Sequence, residues 1–80
     1  MKAYVCVTLK PSVLDPQGKT IHNALKKMKW QGISDVRQGK YFQITLADGL
    51  ERQAAEAEIE RIAREVLTNP VSEEFDYRIE

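Results

Sequence analysis

The side chains that could carry chemistry are few, and they stand apart. His22 is the one histidine of an 80-residue chain. Lys19, Lys26 and Lys29 surround it at helical spacing, off the apolar stripe, so it reads as part of a solvated face. Cys6 is the one cysteine. A nucleophilic thiol needs a neighbouring base and a lowered pKa, and the residues around Cys6 supply neither. It alternates with apolar neighbours and reads as a small strand residue. Zinc asks for three or four ligands, which one histidine and one mid-strand cysteine do not make. The phosphate-cradling patterns G-x-x-x-x-G-K-[ST] and G-x-G-x-x-G are missing. Gly39-Lys40 reads as a hairpin turn rather than a phosphate contact. Glu73, Glu74 and Asp76 form an acidic cluster that reads as a solvated loop before an edge strand. The expectation is no catalytic residue, no cofactor and no metal in this chain.

The elements that would position such residues follow from periodicity. Ala3, Val5, Val7 and Leu9 alternate with Tyr4, Cys6 and Thr8, which predicts a strand ending at Lys10-Pro11. Asp15-Pro16 predicts a helix start: the carboxylate accepts from free N–H groups and proline suits the first helical position. Ile21, Ala24, Leu25 and Met28 then recur on one face. Lys26, Lys27 and Lys29 complement the negative end of the helix dipole. Gly18 is an odd choice in a first turn unless something packs closely there. Gly32 is the expected exit. Ile33 to Leu46 reads as a hairpin turning at Gln38-Gly39-Lys40, with Phe42, Ile44 and Leu46 inward and Tyr41, Gln43 and Thr45 outward. A long helix is predicted from Leu50 to Leu67, with Asp48 as a possible cap and a stripe of Ala55, Ile59, Ile62, Ala63 and Val66. Asn69-Pro70 ends it. Phe75, Tyr77 and Ile79 alternate in a last strand. The order β-α-β-β-α-β predicts one α+β domain over residues 1–80. Its form is a ferredoxin-like two-layer sandwich, with an antiparallel four-stranded sheet and both helices on one face.

Twelve basic and twelve acidic residues cancel, which offers phosphate backbones no general attraction and self-association no charge barrier. RNA-recognition domains share this topology and stack bases on sheet aromatics. Tyr4 and Tyr41 could do so, but the basic and glycine signature is missing, so no nucleic-acid partner is expected. The unpaired cysteine suits a reducing compartment. No apolar run approaches membrane-spanning length and no secretory pattern opens the chain, so a soluble cytoplasmic protein without a membrane partner is expected. The sheet face away from the helices should carry Tyr4, Cys6, Thr8, Gln43 and Thr45, a half-apolar surface suited to packing on a second copy.

Three segments then point to a family. They are Leu9-Lys10-Pro11-Ser12-Val13-Leu14-Asp15-Pro16-Gln17-Gly18, Ser34-Asp35-Val36-Arg37-Gln38-Gly39-Lys40-Tyr41, and Asn69-Pro70-Val71 leading to Tyr77-Arg78-Ile79-Glu80. The pattern resembles PurS, the small subunit of phosphoribosylformylglycinamidine (FGAM) synthase. Two departures stand out: Lys29-Trp30 where a glycine-aromatic pair is expected, and a longer link at Ser72–Asp76. The resemblance implies a part in purine biosynthesis, where formylglycinamide ribonucleotide, glutamine and ATP become FGAM, glutamate, ADP and phosphate. It implies a non-catalytic subunit that brings together a PurQ-like glutaminase and a large PurL-like synthetase and assists ammonia transfer between them. ATP and magnesium belong to the synthetase. The family's oligomers, dimers or tetramers, imply self-association. On this reading Lys10, Pro11, Asp15, Pro16, Gly18, Arg37, Gly39, Lys40 and Tyr41 are candidate partner contacts, with Arg37 and Lys40 reaching acidic groups. A small-ligand regulatory domain of the same topology is the main alternative, and an RNA-binding module the other.

Overall fold

Alternation carries Lys2–Leu9 into an eight-residue strand, β1, at the centre of the computed structural model, which describes residues 1–80. Two antiparallel neighbours flank it: β2 (Gly39–Thr45) and β3 (Glu73–Ile79). The register pairs Val5 with Phe42 and Tyr77, and Cys6 with Tyr41 and Asp76. Inward and outward residues are therefore those that the alternation predicts.

Helix α2 (Arg52–Ile62) lies on the inner face of the sheet. Ala55, Ile59 and Ala63 lie at steps of four and meet Ala3, Val5, Val7 and Ile79 in the core cluster. The helix begins at Arg52, with Glu51 in the cap position making no side-chain bond, so neither a Leu50 start nor an Asp48 cap holds. Its end departs from the expected stripe. A π-helical turn covers Ala63–Leu67 and inserts extra backbone into the last turn. That rotates Val66 outward, to 74% exposure, and brings Leu67 against the core in its place.

The four-stranded sheet is corrected to three strands. Ile33 to Arg37 forms no strand, and Gly39 lies in β2 opposite Thr8 rather than in a hairpin turn. The physical reason is a competing bond. The Gln38 N–H that a ladder would use is donated to the buried Asp15 carboxylate at 2.6 Å. His22 Nε2 also meets the Ile33 carbonyl oxygen at 3.1 Å, so the segment runs back beside the first helix instead of along the sheet.

That helix, α1 (Pro16–Lys27), begins at the predicted Asp15-Pro16 pair. The expectation that both helices cover the sheet is also corrected: α1 makes at most slight contact with any other helix or strand, and its one buried residue is Gly18. Of its apolar stripe, Ile21 is 41% and Met28 69% exposed. Together with the return segment it forms an arm. The radius of gyration is 16.1 Å and the longest extent 51 Å, whereas a compact 80-residue chain has a radius of about 12 Å.

The arm turns back at Lys29, not at Gly32. Lys29 has φ of 69°. Its N–H bonds the Lys26 carbonyl at 2.9 Å, and Trp30 N–H bonds the Leu25 carbonyl at 3.0 Å. This is a Schellman closure with lysine in the left-handed position where glycine is usual. A side chain there carries a steric cost that glycine does not. Lys29→Gly is expected to stabilise the chain by about 1 kcal/mol, read as a higher urea midpoint at unchanged slope. A lower midpoint would refute it.

Candidate functional site

The family-like motif residues gather at the base of the arm, where two chain segments cross. Asp15 sits between them, 5% exposed. Its Oδ1 accepts from Gly18 N–H at 3.0 Å, inside α1. Its Oδ2 accepts from Gln38 N–H, on the returning segment. The Gln38 N–H foremost, then that of Gly18, hold the Asp15 carboxyl below the usual carboxylate range. An acceptor so fully engaged is a poor proton shuttle and a good structural anchor.

Arg37 completes the crossing from the other side. Its Nη2 donates to the carbonyls of Lys10 at 3.1 Å and Val13 at 2.9 Å. Lys10 in turn ties the loop to the sheet: its N–H bonds the Ser72 carbonyl at 2.9 Å and its Nζ the Pro70 carbonyl at 2.8 Å. Gln17 and Gln38 share a side-chain hydrogen bond. Pro16 opens α1 and Pro11 lies exposed on the outgoing loop.

The remaining candidates lie on β2 and separate by face. Lys40 points inward opposite Val7 and pairs with Glu73 at 3.7 Å. Glu73 also accepts from Asn69 N–H at 2.8 Å through its other oxygen. The acidic pair Glu73 and Glu74 is thus part of β3 rather than a loop before it. Between the sheet end and the joint lies a cleft of about 280 Å³, lined by Val7, Leu9, Asp15, Gln17, Lys40 and Glu73. Its ionic groups are paired or bonded internally, with no nucleophile beside a base.

Tyr41 projects from the opposite face, where its ring stacks on Tyr4 with centroids 5.9 Å apart and planes at 21°. The Arg78 guanidinium stands 4.6 Å over the Tyr4 ring and bonds Glu80. Cys6, Gln43 and Thr45 are exposed around this stack, and Thr8 is half-buried. Cys6 faces Asp76 and Tyr41 across the sheet, on the side away from the cleft. No helix of the chain is long and apolar enough to cross a membrane.

The motif residues are therefore in two places. Lys10, Asp15, Pro16, Gly18 and Arg37 build one joint, whereas Gly39, Lys40 and Tyr41 belong to the sheet. Arg37, expected to reach acidic groups on a partner, is exposed and bonds two carbonyls of its own chain through Nη2. Gln38 and Glu73 belong to the site by what they bond, and no local signal marks either. Their partners, Asp15 and Lys40, lie 23 and 33 residues away.

The comparisons with known proteins agree on one family. The model for PurS, phosphoribosylformylglycinamidine (FGAM) synthase, matches residues 2–80. The phosphoribosylformylglycinamidine synthase subunit PurS of Mycobacterium leprae is 40% identical over 74 residues, 92% of this chain and 89% of that one. The crystal structure of Methanocaldococcus jannaschii PurS is described as one of the subunits of formylglycinamide ribonucleotide amidotransferase in the purine biosynthetic pathway. It superposes with a TM-score of 0.86 at 29% identity, over 99% of this chain and 94% of that one. A chain in the structure of PurLQS from Thermotoga maritima does so with a TM-score of 0.82 at 30% identity, over 96% and 93%.

Proposed function

The chain belongs to the PurS family, and from that membership we propose that it is the small subunit of an FGAM synthase acting in purine biosynthesis. The observation that carries this is a match running through residues 2–80, with the Asp15 joint and the Tyr77–Glu80 ending inside it. The Thermotoga neighbour comes from a PurLQS structure, which supports an assembly with a PurQ-like glutaminase and a PurL-like synthetase. On this reading the complex is cytoplasmic, its ATP and magnesium sit in the synthetase, and this chain holds the partners in register while ammonia passes between them.

A non-catalytic role is supported by where the reactive groups lie. His22 leans on a backbone carbonyl of the arm, Cys6 is on the far side of the sheet, and Asp15 is held ionised by two N–H donors. These groups share no substrate-sized space. The regulatory-domain alternative has less support, since the ionic groups of the cleft already satisfy one another.

Self-association is the second part of the proposal. Only ten of 80 residues are buried, which is thin cover for a domain of this size. One helix covers the inner sheet face, and Phe42 and Ile44 on β2 remain half-buried. Meanwhile α1 presents a largely exposed apolar stripe, with Ile21 and Met28 open and Leu25 half-buried. A second copy supplying its α1 beside α2 would complete the two-layer, ferredoxin-like arrangement between chains. The outer flank of α2, with Ala54, Ala57, Ile62 and Val66, leaves room for it. The Tyr4 face, already stacked within the chain, is then free for another partner.

Two measurements test the proposal. Affinity purification of the tagged chain from its own cells should recover a glutaminase and an ATP-dependent synthetase, while the isolated chain shows neither activity. Recovery of neither protein would overturn the subunit reading. Leu25→Asp should convert the wild-type oligomer to a 9.2 kDa species in sedimentation; an unchanged oligomer would remove α1 from the interface.

A further inference from the structure

The arm has no apolar reason to stand where it does. Its stripe is open, with Ile21 and Met28 exposed and Leu25 half-buried, although the strip of sheet at Phe42 and Ile44 is itself only half-covered. Burying one such side chain favours contact by about 1.5–3 kcal/mol. Something must therefore oppose collapse of α1 onto its own sheet. The candidates are the polar bonds at its base, since α1 makes at most slight contact with any other helix or strand.

Those bonds form an unbroken series. Ser72 and Pro70, beside β3, hold Lys10. The Lys10 and Val13 carbonyls hold Arg37. Gln38, next in the chain, donates to Asp15, and Asp15 accepts from Gly18 within α1. The bonds of Arg37 and Gln38 cross from the returning segment to the outgoing one, so swinging either segment alone breaks at least one of them. Pro11 and Pro16 add fixed φ angles to the outgoing segment. Gly18 lets the returning backbone come close: a Cβ there would stand 3.1 Å from Arg37 Cα.

We propose that Asp15 and Arg37 form a lock that holds the α1 arm open, so that its apolar stripe is offered to another chain instead of closing on its own sheet. The lock is a positioning device. It rests on the self-association reading only for what the stripe meets. A hinge held rigid in the open state favours exchange between copies, since the closed monomer would first have to break the lock.

The test reads a distance within one chain. One spin label is placed on Cys6 and another on a cysteine replacing Asn23, both exposed positions on the sheet and on α1. The labelled chain is diluted into excess unlabelled protein, so that each label sees only its own chain. The wild type should give one narrow distance. Asp15→Ala should lose that peak, with a broad population appearing at shorter distance, while circular dichroism retains the sheet. Arg37→Ala should do the same and keeps the test decisive if Asp15→Ala fails to fold. A narrow, unshifted peak in a folded variant of either residue would overturn the lock. Sedimentation of the wild type reports separately on self-association: a monomer there ends that reading, yet the distance still decides the lock.

Discussion

Ile59→Ala is expected to destabilise this chain by about 3 kcal/mol, a large part of what a small domain has. Ile59 is fully buried, and with Val5 and Val7 it is one of the three largest side chains wholly out of solvent. Three of the seven core members are alanines, Ala3, Ala55 and Ala63. With alanines at three positions of the cluster, Ile59 is the large side chain that α2 contributes to the interface with the sheet. Truncation removes its contacts and opens a cavity that neighbouring alanines have no atoms to fill. Urea unfolding at fixed protein concentration measures the loss, since association would otherwise shift the midpoint. Val66→Ala is the control. Val66 is 74% exposed beyond the π turn, so in the unassembled chain it should move stability by less than about 0.5 kcal/mol. A loss below about 1 kcal/mol for Ile59→Ala would mean that α2 on β1 is not the core.

The Ile59 and Val66 pair also marks where the sequence was legible. Alternation in Ala3–Leu9, Tyr41–Leu46 and Phe75–Ile79 identifies strands and their inner faces, because a strand's period is fixed by its geometry. Asp15-Pro16 identifies a helix start, because the cap and the proline act within one turn. The stripe on α2 is right at Ala55, Ile59 and Ala63 and fails at Ile62, which lies on the outer flank, and at Val66. A π turn changes phase without leaving a residue-type signal. The fourth strand fails for a different reason. Its backbone donor at Gln38 is taken by a carboxylate 23 positions earlier, and no local pattern carries that information. The exit of α1 fails because glycine is the ordinary mark of a left-handed residue, and here lysine occupies it.

The site was legible as a motif and opaque as a mechanism. Lys10, Asp15, Gly18 and Arg37 stand out by their types and spacing, which invites a reading as surface contacts. In three dimensions their polar atoms bond carbonyls and N–H groups of the chain itself. A loop rich in charged and turn-forming residues looks the same in sequence whether its side chains serve a partner or its own crossing. What separates the two is which carbonyls and N–H groups lie within reach, and those come from the returning segment.

Gly18→Ala provides the sharpest test of that crossing, because two general effects predict opposite signs. Within a helix, replacing glycine by alanine ordinarily gains about 1 kcal/mol. At Gly18 the added Cβ would lie 2.6 Å from Asp15 Oδ2 and closer still to the Val36 carbonyl oxygen. The first is an atom of the lock itself, and the second is backbone that moves only if the returning segment moves. Overpacking of this kind costs about 1–3 kcal/mol and outweighs the helical gain. The net expectation is a destabilised chain, with the Cys6-to-arm distance disturbed in the direction seen on loss of Asp15. Gly32→Ala gives the contrast. No atom lies within 4 Å of a Cβ at Gly32, so the same chemical change there should be neutral or raise stability by about 0.5 kcal/mol through the unfolded state. If Gly18→Ala proves as stable as the wild type, the two segments do not meet as closely as the lock requires. If it is destabilised while Gly32→Ala is not, the glycine in this motif is kept for the backbone that passes beside it and not for the helix that contains it.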